Sequence, residues 1–301
     1  MKVEIAAPES VIYIINNSTL PAVSQEEDAL KNTILTAKYA QKMQKTIKND
    51  VSEYFASRGQ AARAARVKEC ANVITFRRYS KLKYRKLDSI NLCRERLCIN
   101  CQTALAQKNS KKVFFALTSQ KDQLYHMVLT VPSVKGEDLN KTIKRLQEKF
   151  AAFCRKYGIK NYYRSLEITH SKAGFHPHYH IITDWHTSER KLRGMWGKMN
   201  GKQYLQAHIA PLTDKRRASY EMSKYITKPQ NITKETIPTL NKEVSGVRLR
   251  AAGGNFKKLL HEYDAEEEER KVLLSDLLDS YDYELERYIW NGDNYVKNQE
   301  C

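Results

Sequence analysis

No stretch of this 301-residue chain strings together the ~20 apolar residues that a membrane-spanning helix needs. The apolar piece near its start, Val11-Ile12-Tyr13-Ile14-Ile15, runs straight into Asn16-Asn17-Ser18. It lacks the basic start, long apolar core and cleavage site of a secretory leader. Membrane insertion and secretion are therefore set aside, and the expected place is the cytoplasm. Glycine (11) and proline (7) are sparse, and the first glycine is Gly59, which excludes a collagen-like chain. Six cysteines in a chain this long do not describe a disulfide-stapled domain. In a reducing compartment they are metal ligands or free thiols. Acidic residues are outnumbered, 34 against 52 Lys and Arg, for a net charge of +18. With 41% apolar residues the chain can still build a core, so full disorder is excluded as well. The charge excess implies a polyanionic partner, nucleic acid before an anionic membrane.

The charge is not evenly spread. Residues 262–301 carry a net −9 and residues 1–261 a net +27. Four segments follow: a polar, helical 1–62 of unassigned role, a basic cysteine-rich 63–110, a strand-and-helix core over 111–260, and an acidic amphipathic tail over 261–301. In the tail, Glu266 to Glu269 precede Leu273, Leu274, Leu277 and Leu278 at helical spacing. That tail is expected to limit nonspecific DNA binding or to pack against the basic body. Thr33 to Lys48 reads as a helix. Tyr125 to Val131 reads as a strand ending at Pro132. Leu139, Ile143, Leu146, Phe150 and Phe153 mark one apolar helix face, stopped by Gly158. Tyr162–Thr169 and His178–Thr183 follow as strands separated by a turn near Gly174, and Arg217–Thr227 as a further helix. The sum is an α+β core, a mostly antiparallel sheet covered by helices.

The sharpest chemistry lies in Gly174-Phe175-His176-Pro177-His178-Tyr179-His180. Alternate strand side chains share a face, so His178 and His180 point one way and Tyr179 and Ile181 the buried way. Two imidazoles on one rigid face are a ready pair of metal ligands. Glu167, on the preceding strand of a hairpin, is the expected third. Two histidines and a carboxylate leave coordination sites open and suit Mn²⁺, Mg²⁺ or another divalent ion. Pro177 is expected to break the relation of His176 to the strand, and His176 and His126 read as ordinary packing or solvent-facing residues.

A second constellation is Tyr220-Glu221-Met222-Ser223-Lys224-Tyr225-Ile226-Thr227-Lys228. On a helix Glu221 precedes Tyr225 by one turn and Lys224 precedes Lys228 by one turn. A tyrosine hydroxyl forms a covalent phosphodiester with DNA when a metal polarises the scissile phosphate and positive charge supports the phenolate. Glu221 beside it could act as a base, and Lys228 could hold a phosphate or steady the phenolate. A helix bearing Glu, Lys and Tyr is more often a solvated face, and 18 tyrosines make a lone one uninformative. Finally, Cys70 with Cys93-x4-Cys98-x2-Cys101 offers four thiolates, enough for a closed zinc site, against the alternative of free buried thiols. Nearby Arg77, Arg78, Arg85, Arg94 and Arg96 suit phosphate contacts. Cys154, on the long helix, reads as core, and Cys301 as a free thiol.

Taken in order, the strand ending Leu129-Thr130-Val131-Pro132, the His178-Tyr179-His180 strand and the Glu221-x3-Tyr225-x2-Lys228 helix form a recognisable set. The chain resembles the HUH-type replication initiators of rolling-circle plasmids, in the group with one catalytic tyrosine and a glutamate one turn before it. The likeness runs from about Arg66 to Leu260 and includes Val134-Lys135-Gly136-Glu137-Asp138-Leu139 and Gly253-Gly254-Asn255-Phe256-Lys257. It implies an HUH-endonuclease-like sheet with an upstream zinc module. It also implies His178 and His180 as ligands of the catalytic ion, Tyr225 as nucleophile and Glu221 as activator of water in a terminating cleavage. The family commonly carries the same cysteine spacing upstream of its first motif, with proline where this chain has Ile99. The implied partners are the plasmid double-strand origin, single-stranded at the nick, and a host helicase and polymerase. Alternatives are an HUH transposase or relaxase, or a non-catalytic zinc-dependent DNA-binding regulator.

Overall fold

Leu139, Ile143, Leu146, Phe150 and Phe153 are all buried, and their stripe makes the helix on which the central sheet rests. A computed structural model describes residues 26–224, 228–292 and 294–298, with side chains from residue 42 onward. The chain opens with α1 (Glu26–Ser57) and α2 (Ala61–Glu69), a hairpin of β1 (Val73–Tyr79) and β2 (Tyr84–Ile90), and α3 (Ile99–Thr118). Next come β3 (Tyr125–Thr130), α4 (Leu139–Tyr157), β4 (Tyr162–Ser171), β5 (Gly174–Thr183), α5 (Glu189–Met199) and β6 (Ala207–Pro211). The last elements are α6 (Lys215–Ser223), α7 (Ile237–Glu243), β7 (Arg250–Gly253), α8 (Gly254–Asp279), β8 (Glu284–Trp290) and β9 (Tyr295–Lys297). The class is α+β as expected, with two sheets, both antiparallel throughout. None of the described helices is long and apolar enough to cross a membrane.

The five-stranded sheet has the order β6-β3-β5-β4-β7. One face buries Met127, Leu129, Leu166, Ile168, Tyr179 and Ile181 against α4 and against Leu192 and Trp196 of α5. The other face is apolar at one end only. There Tyr163 and Ile182 meet Val113, Ala116 and Leu117 of α3, Met222 of α6, and Phe256 and Leu259 of α8. Further along that face lie histidines and a glutamate. The three helices thus cover the sheet up to the edge of a polar patch and stop.

Gly158 ends α4 in the left-handed region at φ +70°, where a residue with a side chain is strained. Gly174 opens β5 at φ +101°, and a Cβ there would lie 2.4 Å from the Val134 carbonyl oxygen. That close approach lets Phe175 and Val134 exchange backbone hydrogen bonds at 2.8 Å, extending the sheet beyond β3.

Several elements differ from the sequence pattern, each for a physical reason. β5 begins at Gly174 rather than His178 and carries Pro177 inside it, so His176 stays in register opposite Thr169. Phe175 directs its backbone toward Val134, and by alternation Pro177 faces that same side, where β3 has already ended. The missing N–H therefore interrupts no ladder. α1 runs to Ser57 because no glycine or proline interrupts residues 22–58. α6 stops at Ser223, with Lys224 already extended at ψ −175°, so Lys228 is not one helical turn beyond Lys224. Lys228 is itself extended, as a residue before proline must be.

The acidic residues after 261 continue a helix that begins at Gly254, and beyond it the chain forms strands that no periodicity had announced. β8 pairs with β1 from Val73 to Arg78, giving a second sheet of order β2-β1-β8-β9. Glu286 of β8 is buried between Arg78 at 3.6 Å, Lys297 at 3.0 Å and Arg85. Burial by itself would raise its carboxyl, but Lys297 and Arg85 hold it below the usual range. The tail meets the basic body through β8 and Glu286 rather than through its leucines: Leu278 is buried, but Leu273 and Leu277 of the expected apolar face are exposed.

Candidate metal centre

β4 and β5 form a hairpin whose register sets Glu167 opposite His178 and Ser165 opposite His180. Paired residues of an antiparallel sheet share a face, so one carboxylate and two imidazoles converge on the polar patch. His180 Nε2 lies 3.0 Å and His178 Nε2 3.8 Å from the same oxygen, Glu167 Oε2. Ligand atoms of all three fall within 4.8 Å of one another, a set that could hold a metal ion. Burial pushes the Glu167 carboxyl upward, but hydrogen bonds from His178 and His180 overcome it and hold it well below the usual carboxylate range. Glu167 is thus an anion at neutral pH, as a hard divalent cation requires.

Both rings are oriented from behind. His178 Nδ1 lies 3.2 Å from the His176 carbonyl oxygen, which turns its Nε2 toward Glu167. His180 Nδ1 lies 3.1 Å from His126 Nε2. Burial, then the neighbouring His180, lowers the His126 pKa to about 4, so that ring is neutral. No motif singled out His126, because its place depends on which residue of β3 lies beside which of β5. His176 remains outside the ligand cluster, with its ring against that of His178.

The end of α6 closes one side of the site. Glu221, Lys224, Arg250, Leu249 and Ser165 line a small cavity together with Glu167 and His180. Glu221 is paired with Lys224, and Lys228 Nζ stands 3.8 Å from Glu167 Oε1. Tyr225 lies outside the described residues; its neighbours at 224 and 228 both reach the cavity or its carboxylate. Arg250, a residue no motif pointed to, explains where α6 ends. Its Nη2 donates to the carbonyls of Ser223 at 2.6 Å and Lys224 at 2.7 Å. The last carbonyls of a helix have no partner within it and sit at its negative end, so a half-buried guanidinium fits there. Tyr220 does not line the cavity, and burial, followed by Glu221, raises its phenol.

The four cysteines come together elsewhere. Cys70 ends α2, Cys93 follows β2, and Cys98 and Cys101 stand at the start of α3. Cys101 Sγ is 3.5 Å from both Cys70 Sγ and Cys93 Sγ, and all four sulfurs lie within 4.8 Å. A tetrahedral zinc with ~2.3 Å bonds would set sulfurs about 3.8 Å apart, so the cluster fits such an ion. Arg94 takes φ +61°, and its N–H reaches Cys101 Sγ at 3.1 Å. The thiols do not ionise alike. Hydrogen bonds from Cys70, Cys93 and Cys98 drive Cys101 far below the thiol range, while Cys101 foremost pushes Cys70 and Cys98 far above it. Cys93 is lowered as well, its contact with Cys101 outweighed by hydrogen bonds from Cys70 and Cys98, so a cation would be needed to ionise Cys70 and Cys98. Cys154 is core, as expected, and burial raises its thiol to about 12; Cys301 lies outside the described residues.

A family model described as "Replication protein" matches residues 84–296. A "Protein rep" of Staphylococcus aureus is 27% identical over 181 residues, covering 53% of this chain and 79% of that protein. A "Protein rep" of Streptococcus pneumoniae serotype 2 is 27% identical over 229 residues, 64% of this chain and 70% of that protein. One from Bacillus amyloliquefaciens is 24% identical over 247 residues, 65% of this chain and 72% of that protein. No solved structure matches the chain. The matched span holds Glu167, His178, His180, the end of α6 and three of the four clustered cysteines, and on that match the chain belongs to the replication protein family.

Proposed function

We propose that the chain initiates rolling-circle replication of a plasmid as an HUH-type DNA nickase and strand transferase. Residues 111–260 carry the chemistry and residues 63–110 a zinc-holding module. The observation that carries the reading is that Glu167 and His180, two of the three clustered ligands, share one cavity with Glu221 and Lys224 at the end of α6, and the next residue in the sequence is Tyr225. A divalent cation, Mn²⁺ or Mg²⁺, held by that triad would supply Lewis-acid polarisation of the scissile phosphate. The Tyr225 hydroxyl gives up its proton to solvent as its oxygen attacks phosphorus, the bond to the 3′ oxygen breaks, and that oxygen takes a proton from water and leaves as a hydroxyl. The 5′ side stays joined to the chain as a phosphotyrosine. The free 3′-hydroxyl is a primer for host polymerase, with a host helicase opening the duplex ahead of it. Lys228, beside Glu167, balances phosphate or phenolate charge. In the terminating cleavage Glu221 takes the proton of an attacking water.

The test is a denaturing gel of end-labelled single-stranded origin oligonucleotides incubated with the chain and Mn²⁺. A slow-migrating covalent adduct, lost on chelation, is expected. Binding in a native gel with no adduct at any metal concentration would sink the enzyme reading in favour of a DNA-binding regulator.

The cysteine site makes a separate expectation. We propose that Cys70, Cys93, Cys98 and Cys101 hold one structural Zn²⁺, tying α2, the β1–β2 hairpin and α3 together. A mercurial reagent should release one zinc from the purified chain and none from Cys98→Ser. That variant should be less stable by about 3 kcal/mol or more, a Tm drop of roughly 6–12 °C for a chain of this size. A wild-type chain with no zinc and an unchanged melting curve in Cys98→Ser would end the proposal.

A further inference from the structure

Ring nitrogens and a carboxylate run in a line across three strands. His126 on β3 lies diagonally from His180 on β5, since His126 pairs with Ile182 and Val128 with His180. The two imidazole planes differ by 2°, their centroids are 5.3 Å apart, and the facing nitrogens are 3.1 Å apart. Parallel planes with facing nitrogens so much closer than the ring centres describe an edge-to-edge, in-plane hydrogen bond rather than a face-to-face stack. The other nitrogen of His180 is 3.0 Å from Glu167.

An imidazole that ligates a cation through Nε2 must carry its proton on Nδ1, and that proton needs an acceptor in a buried site. His178 has such an acceptor in the His176 carbonyl. No backbone carbonyl serves His180 in this way among the described hydrogen bonds, and His126 Nε2 stands in the position. We propose that His126 is a positioning residue whose Nε2 accepts the His180 Nδ1 proton. It thereby fixes His180 in the tautomer and ring orientation that presents Nε2 to the cation shared with Glu167 and His178. The role rests on the metal reading above and is read out without any DNA chemistry.

The experiment is a titration of the full chain with Mn²⁺, following free Mn²⁺ by electron paramagnetic resonance. His126→Phe keeps a planar ring on a central strand and removes both nitrogens; its Kd for Mn²⁺ should rise about 10-fold or more. His126→Gln, whose amide oxygen can replace Nε2 as acceptor, should return the Kd to within about 3-fold of wild type. Should Phe not be accommodated, as judged by melting temperature, His126→Leu takes its place. Wild-type affinity in the apolar variant overturns the proposal, and so does a Gln variant as weak as Phe, because shape rather than the acceptor would then matter. A wild-type chain that binds no Mn²⁺ overturns the triad itself, a result visible before any His126 variant is made.

Discussion

Tyr225→Phe is expected to remove the covalent protein–DNA adduct, at least about 10³-fold below wild type, while DNA affinity changes little. The substitution deletes a single oxygen and keeps the ring, so any contact the ring makes with bases survives. What disappears is the atom that would attack phosphorus. The flanking residues make this position the strongest choice among 18 tyrosines. Lys224 lines the cavity that holds Glu167 and His180, its carbonyl is fastened by Arg250, and Lys228 points its ammonium at Glu167. The chain thus enters and leaves residues 225–227 beside the proposed metal. Tyr220, on α6, is the natural competitor, but its phenol is raised by burial and then by adjacent Glu221, which disfavours the phenolate. Denaturing gels of Tyr225→Phe and Tyr220→Phe decide the matter. An adduct at normal yield in the first, or its loss only in the second, would reassign the nucleophile.

Local patterns reached far into this site. Two histidines at alternate positions, a short hairpin and a carboxylate on its first strand were enough to bring Glu167, His178 and His180 together, because hairpin register is decided within about twenty residues of chain. The Cys98-x2-Cys101 pair was legible for the same reason, both residues standing on one turn at the start of α3. Residues that depend on distant pairing were silent. His126 acquires its neighbour from the β3–β5 register, and Arg250 from the placement of β7 beside β4. β8 was hidden more deeply, since its partner β1 lies some two hundred residues earlier and its alternation includes a buried Glu286 that reads as surface. The end of α6 was misplaced because helical spacing continues through Lys228 in the sequence. In the fold, Arg250 takes the carbonyls at Ser223 and Lys224, and Pro229 holds Lys228 extended.

His178→Ala together with His180→Ala should lower nicking by at least about 10³-fold and raise the Kd for Mn²⁺ beyond measurement, without releasing zinc. The first two effects follow from leaving a single carboxylate where three ligands stood. A lone carboxylate holds a divalent ion only weakly against water. The third follows from the separate membership of the two clusters, which share no residue. The folded state should also change in a specific way. Burial pushes the Glu167 carboxyl upward and the two imidazoles are what pull it down, so their removal leaves Lys228 at 3.8 Å as its one charged partner among the described residues. The carboxyl of the double variant should therefore titrate at higher pH than in wild type, a shift that ¹³C-edited NMR of labelled glutamate can follow. Because a depressed carboxyl stabilises the fold above its unfolded pKa and loses that contribution as pH falls, the wild-type advantage in melting temperature should shrink on acidification. Nicking that persists in the double variant, or survives exhaustive chelation in wild type, would remove the metal from the mechanism and leave Tyr225 to be activated by Lys228 and its surroundings alone.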